Sequence, residues 1–463
     1  MTLQQGQTGF QGKIMQRNLL TILTIVLGVL MLSPSLQAES PAAPKADIAS
    51  LEQKSREAYG AEKWVSFYSA NLKLHQLLPY ETGYVVNIVK ACAMLDRKST
   101  AYHYMLKLQQ QGASYDFNAD DETRGIRDTE AYQHINNLLK DAGNPAGEGA
   151  VAFEMPGNAA DYRALAWDES RKRFLVGTVR EGTLLAVSAN GESEVLLKAS
   201  DENGLWSITG LSVDVENNRL WVTSAASPSF INFTVADKSH GALFELDLKT
   251  LETVGRYNVP VDGLEHELGS LAVSQDGHVY VIDRATPIIY TKLPQSDRLE
   301  AFFANPDAGA FDDIAVTPDN SRVFVSDAEK GILVIDPNAR QARMLTGPDN
   351  MNLGGIESVS YLDHHLYVIQ GRFSPQRIIR LELDRSGAAA QSISPMAIAL
   401  EGFDRPGVGA IQGDKLFYFA NTGSGDESGA LLMSTPLAAG AASVQPRLDG
   451  LSPAVAPKEA QQN

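Results

Sequence analysis

Cysteine is nearly absent: the 463 residues contain one, Cys92. A single thiol closes no intramolecular disulfide, so the fold must be held by its core. Cys92 lies in an apolar helical stretch, where a small buried thiol is the expected role. Basic residues are in deficit, 39 Lys+Arg against 56 Asp+Glu, for a formal net charge of −17. That balance gives no footing for nucleic acid or an anionic membrane surface, whose phosphates call for clustered Lys and Arg. Long apolar runs are missing too, the run 19–32 falling short of the ~20 residues that span a bilayer. No G-x-S-x-G elbow, H-E-x-x-H pair, P-loop or paired C-x-x-C occurs. With 44% hydrophobic and 21% charged residues, what remains is an ordinary globular composition.

The first segment reads as a secretory signal. Lys13 and Arg17 precede the apolar run, and Pro34 and the small residue Ala38 follow it. Residues 1–38 are the expected signal peptide, giving a periplasmic or secreted mature protein; Leu36 near the cut leaves an uncleaved anchor as the alternative. A Pro/Ala/Ser linker covers 39–46, and 47–145 read as helices. In 63–78 apolar residues recur at threes and fours, and 87–112 divides into two helices at Asp96–Lys98. Asn87, Ala91, Ala93, Leu95, Ala101, Leu106 and Gly112 resemble a bacterial tetratricopeptide-type repeat. Such repeats need about three copies to stand alone, so this region is expected to rest on the next domain or on another chain.

From Val151 the period switches to two. The segments 165–178, 211–224, 271–283, 314–327, 359–370 and 410–421 each show an apolar strand, a polar turn such as Gln275-Asp276-Gly277, and a second apolar strand. Further strand pairs follow most of them, as at 241–248 and 252–259. Four strands every ~40–50 residues mark propeller blades. The expectation is mainly β: a six-bladed β-propeller over 150–448, preceded by the small α-helical region and followed by a flexible tail, 449–463. Blade six lacks a clear fourth strand, which either 151–156 or 444–448 could supply.

These segments, with HELGSLAVSQDGHVYVID, FDDIAVTPDNSRVFVSD and IQGRFSPQRIIRLELD, resemble the bacterial regucalcin/gluconolactonase-like six-bladed propellers over roughly 151–435. Residues before the first strand and after the second of each blade share one end of the channel. Arg163, Asp312, Glu357, Asp283, Asp327, Gln370 and Asn421 fall there. The resemblance implies one divalent cation (Ca, Mg, Mn or Zn), held by a Glu entering blade one, Asn residues entering two middle blades and an Asp entering the next. Those places are Arg163, Gly269, Asp312 and Glu357 here. Asp312 and Glu357 keep oxygen ligands, with Asp283, Asp327, His266 and Glu267 as substitutes. Arg163, Gln370 and Asn421 are the expected ligand-binding residues; Arg163 either neutralises the carboxylates or clamps an anionic ligand. Asp283 and Asp327 have a structural alternative, accepting backbone N–H bonds from the turn that follows. The insertion 225–240, flanked by Trp206, Trp221 and Phe230, is a candidate lid or ligand wall.

Two functions follow. One is a binding or scaffolding propeller for a small molecule, with the helical region docking a partner protein. The other is a metal-dependent hydrolase of a lactone or related ester, with Glu357 as metal ligand and general base.

Overall fold

The computed structural model describes residues 45–155, 157–423, 429–438 and 440. The signal-peptide segment, most of the linker, the strand candidate 444–448 and the tail lie outside them. Within them the chain divides as its periodicity predicts.

Five helices come first: α1 (Lys45–Gly60), α2 (Trp64–Leu77), α3 (Thr82–Met94), α4 (Lys98–Gln110) and α5 (Glu130–Asp141). Each packs on the next in sequence; the first four are joined by turns too short for anything but reversal, whereas 111–129, with two short 3-10 turns, links α4 to α5. α1 begins just inside the expected linker. The break between α3 and α4 falls at Asp96, whose φ of 56° ends the helix. Thr129 caps α5, its Oγ1 accepting from Tyr132 N at 3.2 Å. Val85, Ile88, Cys92, Met105, Phe117 and Leu139 form a fully enclosed core. Burial there pushes the Cys92 thiol up to about 11, so it packs as a small hydrophobe.

Six antiparallel sheets follow. Blade one is 162–168, 173–178, 183–188 and 193–198, and blades two to four repeat that order to residue 344. Blade five is 358–362, 365–370, 377–383 and 390–398. Its first hairpin turns through Asp363 and His364, both left-handed (φ 46° and 61°), the twist that matches paired strands. Gly277 plays the equivalent part in the Gln275-Asp276-Gly277 turn, at φ 84°. The first strands of the blades touch in cyclic order, 409–412 closing against 162–168, and line the central channel.

Blade six has three strands of its own, 409–412, 415–419 and 430–436. Its fourth is 150–155, pairing Val151 with Met433 and Met155 with Ala430. One of the two expected sources of this strand thus closes the ring. Periodicity gave no sign of a second pairing: Ala146 and Gly147 add to the outer strand of blade five, opposite Ile398 and Ala397.

The helical region is docked on blades four and five. Phe373, from a blade-five loop, is buried in the helical core, and Tyr80 packs into the core between blades four and five. Arg377 opens the third strand of blade five and is 5% exposed. It donates to Gln111 O (2.8 Å), Gln370 Oε1 (2.7 Å) and Asn352 O (3.3 Å), and stacks over Phe373 at 3.9 Å. Asn352 Nδ2 also donates to Gln111 Oε1 at 3.1 Å.

Candidate functional site: an arginine-lined channel mouth

Antiparallel pairing brings the start of each first strand beside the end of the second. Leu268 faces Asp283 and Phe311 faces Asp327. At this end a small cleft is lined by Arg163, Arg284, Asp312, Asp313, Glu357 and Thr422, among others. Arg163, Ser270 and Asp313 also line the channel below it, a cavity of about 260 Å³.

The two expected carboxylates are already engaged. Glu357 Oε1 accepts from Arg405 Nε at 2.7 Å and lies 3.1 Å from Arg372 Nε. Its side chain is 8% exposed, whereas those of Arg372 and Arg405 are over a third exposed. Asp312 pairs with Arg372 through Nη2, and its backbone carbonyl accepts from Arg284 Nη2 at 3.0 Å. Burial opposes the Arg372 charge, but Asp312 and Glu357 outweigh it and raise its pKa. Asp313, next to Asp312, is more deeply buried. Ser358 Oγ (2.7 Å) and the backbone N–H groups of Val359 (2.8 Å) and Ile314 (2.9 Å) donate to it. Burial raises its pKa against those bonds.

Arg163 and Arg284 have no carboxylate within ion-pair reach among the described residues. Burial, then the neighbouring Arg284, pulls the Arg163 pKa down; Glu357 counters this and Arg405 adds to it. Arg284 Nε is buried without a hydrogen-bond partner. The mouth thus carries two guanidinium groups beyond those its carboxylates engage.

The remaining candidates are dispersed. Asp283 Oδ1 accepts from the backbone N–H groups of Glu267, Ala285 and Thr286, and its Oδ2 holds His266 Nδ1 at 2.7 Å. His266 Nε2 meets Asp262 at 2.9 Å, so both ring nitrogens face carboxylates. Asp327 accepts from the backbone of Gly309, Glu329 and Lys330. Glu267 reaches the mouth electrostatically, acting on Arg163. Gln370 bonds Asn352 O and Gly354 O beneath the helical region. Asn421 holds the next strand, donating to Gly429 O and accepting from Leu431 N.

A divalent cation of the calcium type takes six or more oxygen ligands. Here Gly269 supplies no side chain, and a Cβ on it would lie 2.7 Å from Arg284 Nε, so a guanidinium fills that place. Arg163 puts a second cation where an acid is required. Among the described residues no three His, Cys, Asp or Glu are grouped to hold a metal ion. The donor set does not fit a divalent cation.

Sequence reasoning missed Arg284, Arg372, Arg405 and Asp313. The first two lie one or two residues beyond a second strand, and the positions after each strand end carried the signal. No protein-family model matches the chain, and no curated protein matches it. Among solved structures, a luciferin-regenerating enzyme is similar at 12% identity, covering 64% of this chain and 97% of that one, TM-score 0.45. A gluconolactonase from Xanthomonas campestris is 16% identical, covering 63% and 98%, TM-score 0.43. The PQQ-bound aldose sugar dehydrogenase of Streptomyces coelicolor is 18% identical, covering 63% and 100%, TM-score 0.41. On its own sheet order, with blade six closed by a strand from before blade one, the chain is a six-bladed β-propeller carrying an N-terminal helical region.

Proposed function

We propose that the chain is an exported ligand-binding propeller that takes an anionic group at its channel mouth, with the helical region as a docking surface. The observation that carries this reading is the pair of guanidinium groups, Arg163 and Arg284, left without carboxylates beside the engaged Asp312 and Glu357. A guanidinium presents a planar fork of donors suited to a carboxylate or phosphate, and partial burial strengthens the attraction. Asp312 and Glu357 serve here as anchors that hold Arg372 and Arg405 in place. The helical region rests on Phe373 and Arg377 of blade five and leaves Val65 and Met94 exposed for a partner.

The test is calorimetric titration of the purified protein with gluconate, citrate and inorganic phosphate. At least one should bind, more weakly as salt rises, and Arg163→Ala should weaken it by about tenfold or more. Unchanged binding in Arg163→Ala, or no binding by any of them, would overturn the reading. Lactone hydrolysis that depends on added Ca²⁺ and disappears in Glu357→Ala would favour the hydrolase instead.

A further inference from the structure

A half-open cavity lies at the same end of the propeller but outside the mouth. Its volume is about 930 Å³, within the range of small-molecule sites. Two loops, 226–240, the blade-two insertion, and 259–267, which leads from blade two into blade three, build it together with the segment 199–206 that enters blade two.

Both loops are fixed. Ala226 N bonds His240 O (2.8 Å), and Ile231 N bonds Arg180 O (2.8 Å) on blade one. Thr234 and Asp237 form a reciprocal cap. Ser239 Oγ accepts from His266 N at 3.1 Å, and Lys238 pairs with Glu265 at 2.6 Å, joining loop to loop. His266 is clamped between Asp283 and Asp262.

Its chemistry is mixed. Trp206 forms a wall, edge-on to Phe230 at 5.5 Å and 6.4 Å from the His240 ring. Its charged side chains are of both signs and largely engaged with one another: Lys238 with Glu265, and His266 with Asp262 and Asp283, beside Arg256, Asp201 and Asp237. Charges of both signs give no strong attraction for an ionic ligand of one sign. Donors and acceptors around an indole suit a ring with hydroxyls at its rim and C–H groups on its faces. Arg256 gives Nε to Asn258 (3.1 Å) and lies over the Phe244 ring at 5.3 Å, while its terminal nitrogens have no hydrogen-bond partner among the described residues.

We propose that this cavity binds a neutral saccharide, its apolar face against Trp206 and its hydroxyls bonded by Arg256, Asn258 and Asp262. The proposal does not depend on the mouth.

Glucose, galactose, N-acetylglucosamine, maltotriose and chitotriose are titrated into the intact protein, read by tryptophan fluorescence and calorimetry. At least one should bind, with little change between low and high salt because no net charge is involved. Trp206→Ala should weaken binding by about tenfold or more, and Arg256→Ala, at an exposed side chain, by a smaller factor. Arg163→Ala should leave it unchanged, which separates this site from the mouth. Melting curves on each variant guard against unfolding; should Trp206→Ala not fold, Arg256→Ala and Asn258→Ala carry the test. No binding by any of the five sugars, or binding that survives these substitutions, would overturn the proposal.

Discussion

Replacing Arg377 with Met removes one guanidinium and keeps most of the stem. Three acceptors lose a donor: Gln111 O, Gln370 Oε1 and Asn352 O. Asn352 O retains the bond from Gln370 Nε2 at 3.0 Å, so two are stranded. Each buried unsatisfied acceptor costs about 1–3 kcal/mol, or about 2–6 together. Loss of the guanidinium over Phe373 adds about 1–2 kcal/mol. Against this, burial alone pulls the Arg377 pKa down, with no carboxylate beside it, so removing the cation relieves a desolvation cost of a few kcal/mol. The net is a loss of about 3 kcal/mol, concentrated where the helices meet blade five. Urea unfolding should show a lower midpoint, and limited proteolysis should cut faster between α5 and residue 150. Arg377→Lys should rescue little, because an ammonium cannot reproduce the planar fork. An unchanged midpoint with unchanged cleavage in Arg377→Met would refute the idea that this side chain fastens the helical region.

Glu357→Ala frees Arg372 and Arg405, which are exposed enough to find water, so the expected loss is about 1–2 kcal/mol; thermal melts should show it, and added Ca²⁺ or Mg²⁺ should move neither wild type nor variant. Burial, then Lys107, pushes His75 down to about 4, and its Nδ1 is buried without a partner. The unfolded ring takes up its proton near 6.5, before the folded one does. Stability should therefore fall by about 3 kcal/mol as pH drops from 6.5 to 4, and the fall should be shallower in His75→Gln. Deleting 150–155 opens blade six and should convert a single unfolding transition into a broad, low-temperature one by calorimetry. Mature protein from the native host should begin near Glu39, and Edman sequencing that finds Met1 on membrane-bound material would defeat the export proposal.

The blades were legible because alternation and turn chemistry are local: Gly277, Asn320 and the Asp363-His364 pair announce each reversal within a few residues. The closing strand was only partly legible: alternation offered both 151–156 and 444–448, and only the pairing in space chose the segment ahead of blade one. The mouth was half legible. Alternation placed Asp312 and Glu357 at the rim, yet what they bond was hidden, since Arg405 meets Glu357 across 48 residues and Arg372 meets Asp312 across 60. Arg377 gave no signal at all; in a strand it resembles any surface arginine, and its partner Gln111 lies 266 residues away. The cavity beside blade two showed itself only as an unusually long loop with aromatics nearby.

The short stretch 146–155 has a consequence for the order of events during synthesis. It is made before blade one, yet its partners lie at 397–398 and 430–436. A ribosome that has released everything through residue 423 has delivered five complete blades and all the helices without a closed ring. Until the last strand emerges, blade six offers a bare edge open to pairing with a foreign strand. A stop codon shortly after Asn421 would therefore forfeit the whole ring, although most of the protein would already have been made.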